Sequence, residues 1–266
     1  MITSTDQLGR TINLPASPER IISLVPSQTE LLFDLGVADR IAGITKFCIH
    51  PETALTVKPH VGGTKNINLE RIRSLQPDLI IGNKEENEIT QIDALIREFP
   101  VWMSDIKNLD DSMQMIHAVG KLVRKEAESS ILVSKIESGF AGLASAKSVR
   151  SPQTAYLIWK DPWMAAGSGT FIDAILGWSG LQNIFHHRSR YPETSPEEIA
   201  SLSPELVFLS SEPYPFREEH IAQLKSILPA AKILLVDGEM FSWYGSRLLL
   251  TPEYLKMLLQ QIDSPS

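Results

Sequence analysis

Glu70-Arg-Ile-Arg-Ser-Leu-Gln-Pro-Asp-Leu-Ile-Ile-Gly82 and Glu197-Glu-Ile-Ala-Ser-Leu-Ser-Pro-Glu-Leu-Val-Phe-Leu209 are two versions of one passage. Glu70/Glu197, Ile72/Ile199, Ser74/Ser201, Leu75/Leu202, Pro77/Pro204 and Leu79/Leu206 pair at one offset without a gap. Asp78/Glu205 and Ile80/Val207 are conservative pairs. Each copy predicts an amphipathic helix, a proline stop and a short β-rich apolar strand. Two such helix-to-strand units half a chain apart imply an α/β protein of two similar lobes, an architecture that usually binds a ligand in between.

The flanking sequence continues the alternation. Arg20 to Val25 reads as a buried strand, and Ser27-Gln28-Thr29-Glu30 reads as a capping box opening a helix over 31–35 that Gly36 ends. Strands are expected over 41–45, 79–81 and 101–103, with a helix over 89–98. Alternating strand and helix implies a largely parallel sheet. From Asp110 to about Ala146 the apolar period is helical, with a break near Arg124-Lys125. That stretch either bridges two lobes or folds as a helical hairpin on one. Strands over 155–159, 206–209 and 233–236 and helices opened by Thr170, Ser195 and Thr251 restart the cycle. The chain is therefore divided into an N-terminal α/β lobe over 1–108, a connecting helical segment over 109–147 and a C-terminal α/β lobe over 148–266.

Bulk composition narrows the function. The 266 residues are 43% hydrophobic and 21% charged, as in a soluble globular protein. A net charge of -7 argues against nucleic acid as a partner. Cys48 is the single cysteine, which excludes an internal disulfide and a multi-cysteine metal site. Asp6 and Arg10 frame no apolar run, so no signal peptide is legible at the N-terminus. The chain is then either a mature exported form or a cytoplasmic protein.

In α/β sheets ligands bind at the loops beyond the carboxyl ends of the strands. Here those loops carry Phe47, Cys48 and His50; Lys84; Trp159 and Trp163; Tyr214 and Phe216; and Phe241, Trp243, Tyr244 and Arg247. Large rigid aromatics beside a few charges suit a sizeable, partly flat ligand, although some of these rings would simply plug the ends of the lobes. Catalytic signals are weaker. Cys48 and His50, two apart on a loop, would make a thiolate–imidazole couple only with help that the neighbouring residues do not offer. His186-His187, followed by Arg188, could ligate a metal, but adjacent residues point apart in a strand, so the reading favours a surface loop and no metal ligand set is assigned. Gly167-Ser168-Gly169-Thr170 lacks the lysine and spacing of a phosphate loop.

Arg20-Ile-Ile-Ser-Leu-Val-Pro-Ser-Gln-Thr-Glu30, Val61-Gly-Gly, Asn68-Leu-Glu-Arg-Ile72, Leu75-Gln-Pro-Asp-Leu-Ile-Ile81, Gly180-Leu-Gln-Asn-Ile184 and Arg247 follow one another in an order that resembles the helical-backbone substrate-binding proteins of ABC importers. Those proteins receive ferric siderophores, haem or cobalamin, and the cobalamin binders are the nearest in pattern. The resemblance implies two Rossmann-like lobes joined by one long helix, a ligand cleft between them, no enzymatic activity and no cofactor. It also implies a monomer in the cell envelope that works with an ABC permease. Phe47 falls where cobalamin binders place a cleft tyrosine, and Lys84 lies on a loop that meets the ligand. Trp159 to Trp163 occupies the aromatic loop of the second lobe, and Phe241, Trp243 and Arg247 match the last ligand loop. Thr64 stands where those binders have tryptophan, so one stacking wall is absent. Glu70 and Glu197 match the two carboxylates that dock on the permease. The ligand expected is a metal chelate, a corrinoid before a ferric siderophore or haem. The alternative is a cytoplasmic sensor or metal-dependent enzyme using Cys48 and His50.

Overall fold

Parallel strand pairing dominates both halves of the chain, because strands of branched and aliphatic residues alternate with amphipathic helices that cover them. The computed structural model describes residues 1–143 and 150–264, which form two compact units. The first consists of Met1–Lys135 together with Trp243–Arg247. It begins with an antiparallel hairpin, β1 (Ile2–Thr5) and β2 (Thr11–Leu14). There follow β3 (Ile21–Ser23), α1 (Pro26–Asp34), β4 (Ile41–Ile44), α2 (Glu52–Val57), α3 (Leu69–Leu75), β5 (Leu79–Asn83), α4 (Ile89–Ile96), β6 (Val101–Ser104) and α5 (Leu109–Leu122). The sheet runs β4-β3-β5-β6 and every pair is parallel. Helix α6 (Glu126–Leu143) begins in this unit and ends in the next.

The second unit consists of Ile136–Ser242 and Leu248–Ser266. Its elements are β7 (Gln153–Trp159), β8 (Trp163–Ala165), α7 (Phe171–Trp178), β9 (Gln182–Asn183), β10 (Glu193–Thr194), α8 (Pro196–Ser201), β11 (Leu206–Ser210), α9 (Glu218–Lys225), β12 (Lys232–Val236), α10 (Glu239–Ser242) and α11 (Thr251–Asp263). Strands β9, β7, β11 and β12 are parallel neighbours, and β8 and β10 add an antiparallel flap to the other half of the β7 edge.

The repeated passage accounts for the shared core of the two sheets. Ile72 on α3 and Ile199 on α8 are both fully buried, which stabilises each unit by roughly 1.5–3 kcal/mol. Gln76 (φ 45°) and Ser203 (φ 49°) end those helices in the same left-handed turn, one residue before Pro77 and Pro204. The acidic residue after each proline ties the repeat to its neighbouring strand. Asp78 accepts from the backbone N–H of Glu19 at 2.7 Å and of Arg20 at 2.9 Å, just before β3. Glu205 accepts from the N–H of Gln153 at 3.2 Å, where β7 starts.

Several boundaries differ from the sequence reading. Helix α1 starts at Pro26, and Ser27, Gln28 and Thr29 lie inside it and are buried. Proline needs no partner for a missing N–H, so it takes the first helical position and leaves the Ser27-to-Glu30 capping pattern unused. Thr251 is likewise helical rather than capping, and its hydroxyl donates to the Met240 carbonyl at 3.3 Å. The hairpin of β1 and β2 differs from any strand expected, because its strands, Ile-Thr-Ser-Thr and Thr-Ile-Asn-Leu, are largely polar. The helical stretch after Asp110 breaks at Arg124, where φ is 60°. Its expected end at Ala146 lies outside the described residues.

Candidate ligand-binding site

In the first unit the carboxyl ends of β4, β5 and β6 gather most of the residues expected there. After β4 the chain turns outward, leaving Phe47 50% exposed with Lys46 Nζ 5.0 Å over its ring. Cys48 folds inward and is fully buried, with its sulfur 3.1 Å from Thr29 Oγ1 and 3.2 Å from Thr45 Oγ1. Burial pushes the Cys48 thiol up, although both threonine hydroxyls oppose the shift. A nucleophilic couple with His50 needs the opposite, an exposed thiol of lowered pKa. His50 instead meets Trp243 edge-on at 5.4 Å.

Trp243 belongs to this unit through the five-residue segment Trp243–Arg247. The Tyr244 carbonyl accepts from the Ser112 hydroxyl of α5. Gly245 lies so close to α1 that a Cβ there would stand 2.4 Å from the Ser27 carbonyl oxygen. Arg247 closes the segment with a bidentate pair to Glu30, Nε–Oε2 at 3.0 Å and Nη2–Oε1 at 2.5 Å. The same guanidinium stacks over Trp243 at 5.2 Å. Burial pushes the Glu30 carboxyl above its ordinary range, against the pull of Arg247. Trp243, Tyr244 and Arg247 are therefore buried, and the arginine holds its own segment in place.

At the ends of β5 and β6 Lys84 Nζ lies 2.8 Å from Asp105 Oδ2, and Lys107 Nζ lies 3.2 Å from the same atom. Burial acts to raise the Asp105 carboxyl, but the two ammonium groups outweigh it and hold it below the usual range. The cluster is two cations around one anion, with Lys84 half-exposed. Asp105 carries no signal of its own in the sequence, although it lies two residues beyond the strand expected over 101–103 and directly after β6.

The second unit builds an aromatic surface at the ends of β7 and β11. Trp159, the last residue of β7, is 39% exposed and meets Tyr214 edge-on at 5.6 Å. Tyr214 lies 4.7 Å from Phe216, and Phe216 stacks on Trp163 at 5.8 Å and 18°. Buried His220 holds the loop: its Nδ1 accepts from the Arg217 N–H at 2.9 Å, and its Nε2 lies 3.2 Å from the Tyr214 hydroxyl. Trp163 and Phe216 thus form the floor beneath Trp159 and Tyr214. Phe241 is fully buried against Tyr156, Phe208 and Tyr254 and offers no face to a ligand. Its place beyond β12 marked it as a site residue, but α10 turns its ring into the core.

Among the described residues, which hold all 9 Phe, 5 Trp and 5 Tyr, only Phe47 and Trp159 are exposed. Trp159 ends β7 and Phe47 follows β4, so each stands at the carboxyl end of a parallel strand, where this fold class receives ligands. Among the described residues no three or more His, Cys, Asp or Glu side chains converge on a metal position, and no helix is long and apolar enough to cross a membrane.

A family model described as periplasmic binding protein matches residues 21–232. The chain belongs to the periplasmic binding protein family. The chain is 24% identical over 260 residues to the vitamin B12-binding protein of Yersinia pestis, covering 96% of this chain and 91% of the relative. Its fold superposes on a periplasmic vitamin B12-binding protein of Vibrio cholerae with TM-score 0.78 and 22% identity, over 94% of this chain and 100% of that one. A periplasmic haem-binding protein of Roseiflexus gives TM-score 0.80 and 20% identity, over 92% and 97%. Family and neighbours alike are binding proteins rather than enzymes.

Proposed function

We propose that this periplasmic binding protein serves an ABC-type importer in the cell envelope and carries a metal chelate, a corrinoid in preference to haem or a ferric siderophore. The observation that carries the reading is that Phe47 and Trp159 are the exposed members among the Phe, Trp and Tyr rings of the described residues, each at a strand end. An exposed ring costs hydration free energy in the free protein and regains it against a flat macrocycle. Lys84 and Lys107, only partly neutralised by Asp105, supply hydrogen-bond donors for carbonyl or carboxylate groups around the chelate. The curated relative's name favours the corrinoid. Tryptophan fluorescence titrated with cyanocobalamin, haemin and a ferric siderophore tests the ligand class. Saturable quenching by cyanocobalamin at micromolar concentration is expected. No saturable response to any of the three would sink the proposal.

Glu70 and Glu197 are proposed as the carboxylates that meet the permease. Both are exposed and stand in the first turns of the equivalent helices α3 and α8. The Glu197 carboxyl lies below its ordinary range, through its own backbone N–H and the Ser195 hydroxyl, so it remains charged. Glu70→Lys and Glu197→Lys should each reduce ligand uptake in cells carrying the permease. The double variant should abolish uptake while fluorescence titration shows unchanged ligand affinity; normal uptake by the double variant would remove this docking role.

A further inference from the structure

The second unit holds a cavity of about 320 Å³ away from the strand-end loops, lined by Gln153, Gln182, His186, His187 and Leu202. Gln153 is the first residue of β7 and Trp159 the last, so the cavity lies roughly 20 Å along the strand from the aromatic surface. Adjacent residues point apart in a strand, but His186 and His187 lie in the turn after β9 and both face this one cavity. His186 Nδ1 stands 2.9 Å from Asp173 Oδ2, and His187 Nδ1 stands 3.0 Å from the Ile184 carbonyl oxygen. Both oxygens can only accept, so each Nδ1 carries a proton, and in the neutral ring of that tautomer Nε2 holds the lone pair. Among the described residues no side chain engages either Nε2.

Both rings are oriented from behind. The other carboxylate oxygen of Asp173 accepts from Asn183 Nδ2 at 2.8 Å, and its backbone N–H donates to the Thr170 hydroxyl at 3.2 Å. The His187 ring lies over Phe185 at 6.4 Å and 24°. One nitrogen donated to a carboxylate or carbonyl, with the other left as a lone pair, is the arrangement of metal-ligating histidines. We propose that His186 and His187 form a two-imidazole site for a borderline first-row divalent cation, Ni²⁺, Cu²⁺ or Zn²⁺, with water and the neighbouring amide oxygens completing the shell. Imidazole suits these ions and is a poor ligand for Mg²⁺ or Ca²⁺. The site is separate from the chelate site and does not depend on it.

Titration of the full chain with Ni²⁺ at pH 7.5 by calorimetry tests the proposal. One saturable equivalent is expected, with proton release and weaker binding at pH 5.5, because both imidazoles must be neutral to ligate. His186→Ala and His187→Ala should each weaken binding by about tenfold or more, and His117→Ala should leave it unchanged. Asp173→Asn, which removes the carboxylate shared by His186 Nδ1 and Asn183 Nδ2 but touches neither Nε2, should weaken it by a factor of about ten. Should a histidine variant fail to fold, the unaltered chain loaded with one Cu²⁺ provides the reading, and its EPR spectrum should carry hyperfine splitting from two imidazole nitrogens. Absence of saturable Ni²⁺ binding, wild-type affinity in both histidine variants or a copper spectrum without nitrogen splitting would each overturn it.

Discussion

Arg247→Ala is expected to lower the unfolding free energy by about 3 kcal/mol, read from urea unfolding followed by fluorescence. The substitution leaves the Glu30 carboxylate at a position where its side chain is only 15% exposed, without the two charge-assisted bonds that Arg247 supplies. It also strips the cation from the face of Trp243. Replacing both partners by apolar residues, as in Glu30→Leu with Arg247→Met, should recover most of the loss, since desolvation of an ion pair largely offsets its attraction. A single variant as stable as the unaltered chain would show that the pair does not hold the segment.

Trp159→Ala should weaken binding of the chelate by about tenfold to thirtyfold, or roughly 1.4–2 kcal/mol. The thermal midpoint should stay where it is, because the residue is 39% exposed and meets Tyr214 only edge-on. Phe47→Ala should act similarly from the first unit. Trp243→Ala is a poorer probe than the sequence suggests: that ring is 6% exposed and wedged between His50 and Arg247, so its removal perturbs the fold together with any ligand contact. Unchanged affinity in both Trp159→Ala and Phe47→Ala would remove the exposed aromatics from the site.

The fold was largely legible because its signals are short-range. Asn68 and Ser195 cap α3 and α8 three residues ahead of the N–H groups they accept from, and Pro77 and Pro204 stop the same helices. The site was legible only as a set of loops. A strand-end position says where a ring starts, not which way it turns, so Phe241 and Trp163 read like Trp159 until packing separates them. The Glu30–Arg247 pair had no local signal at all, since its members are 217 residues apart. The β1–β2 hairpin was hidden for a different reason: Ser4 takes a buried position that alternation would assign to an apolar residue.

The segment Trp243–Arg247 also sets a timetable for the growing chain. The first unit is not a contiguous stretch of the polypeptide: until residue 247 leaves the ribosome, the slot beside α1 that admits only Gly245 stands open and Glu30 has no guanidinium. Domains generally complete themselves in the order of synthesis. Here the N-terminal unit, begun first, is finished only after almost all of its C-terminal neighbour has been made.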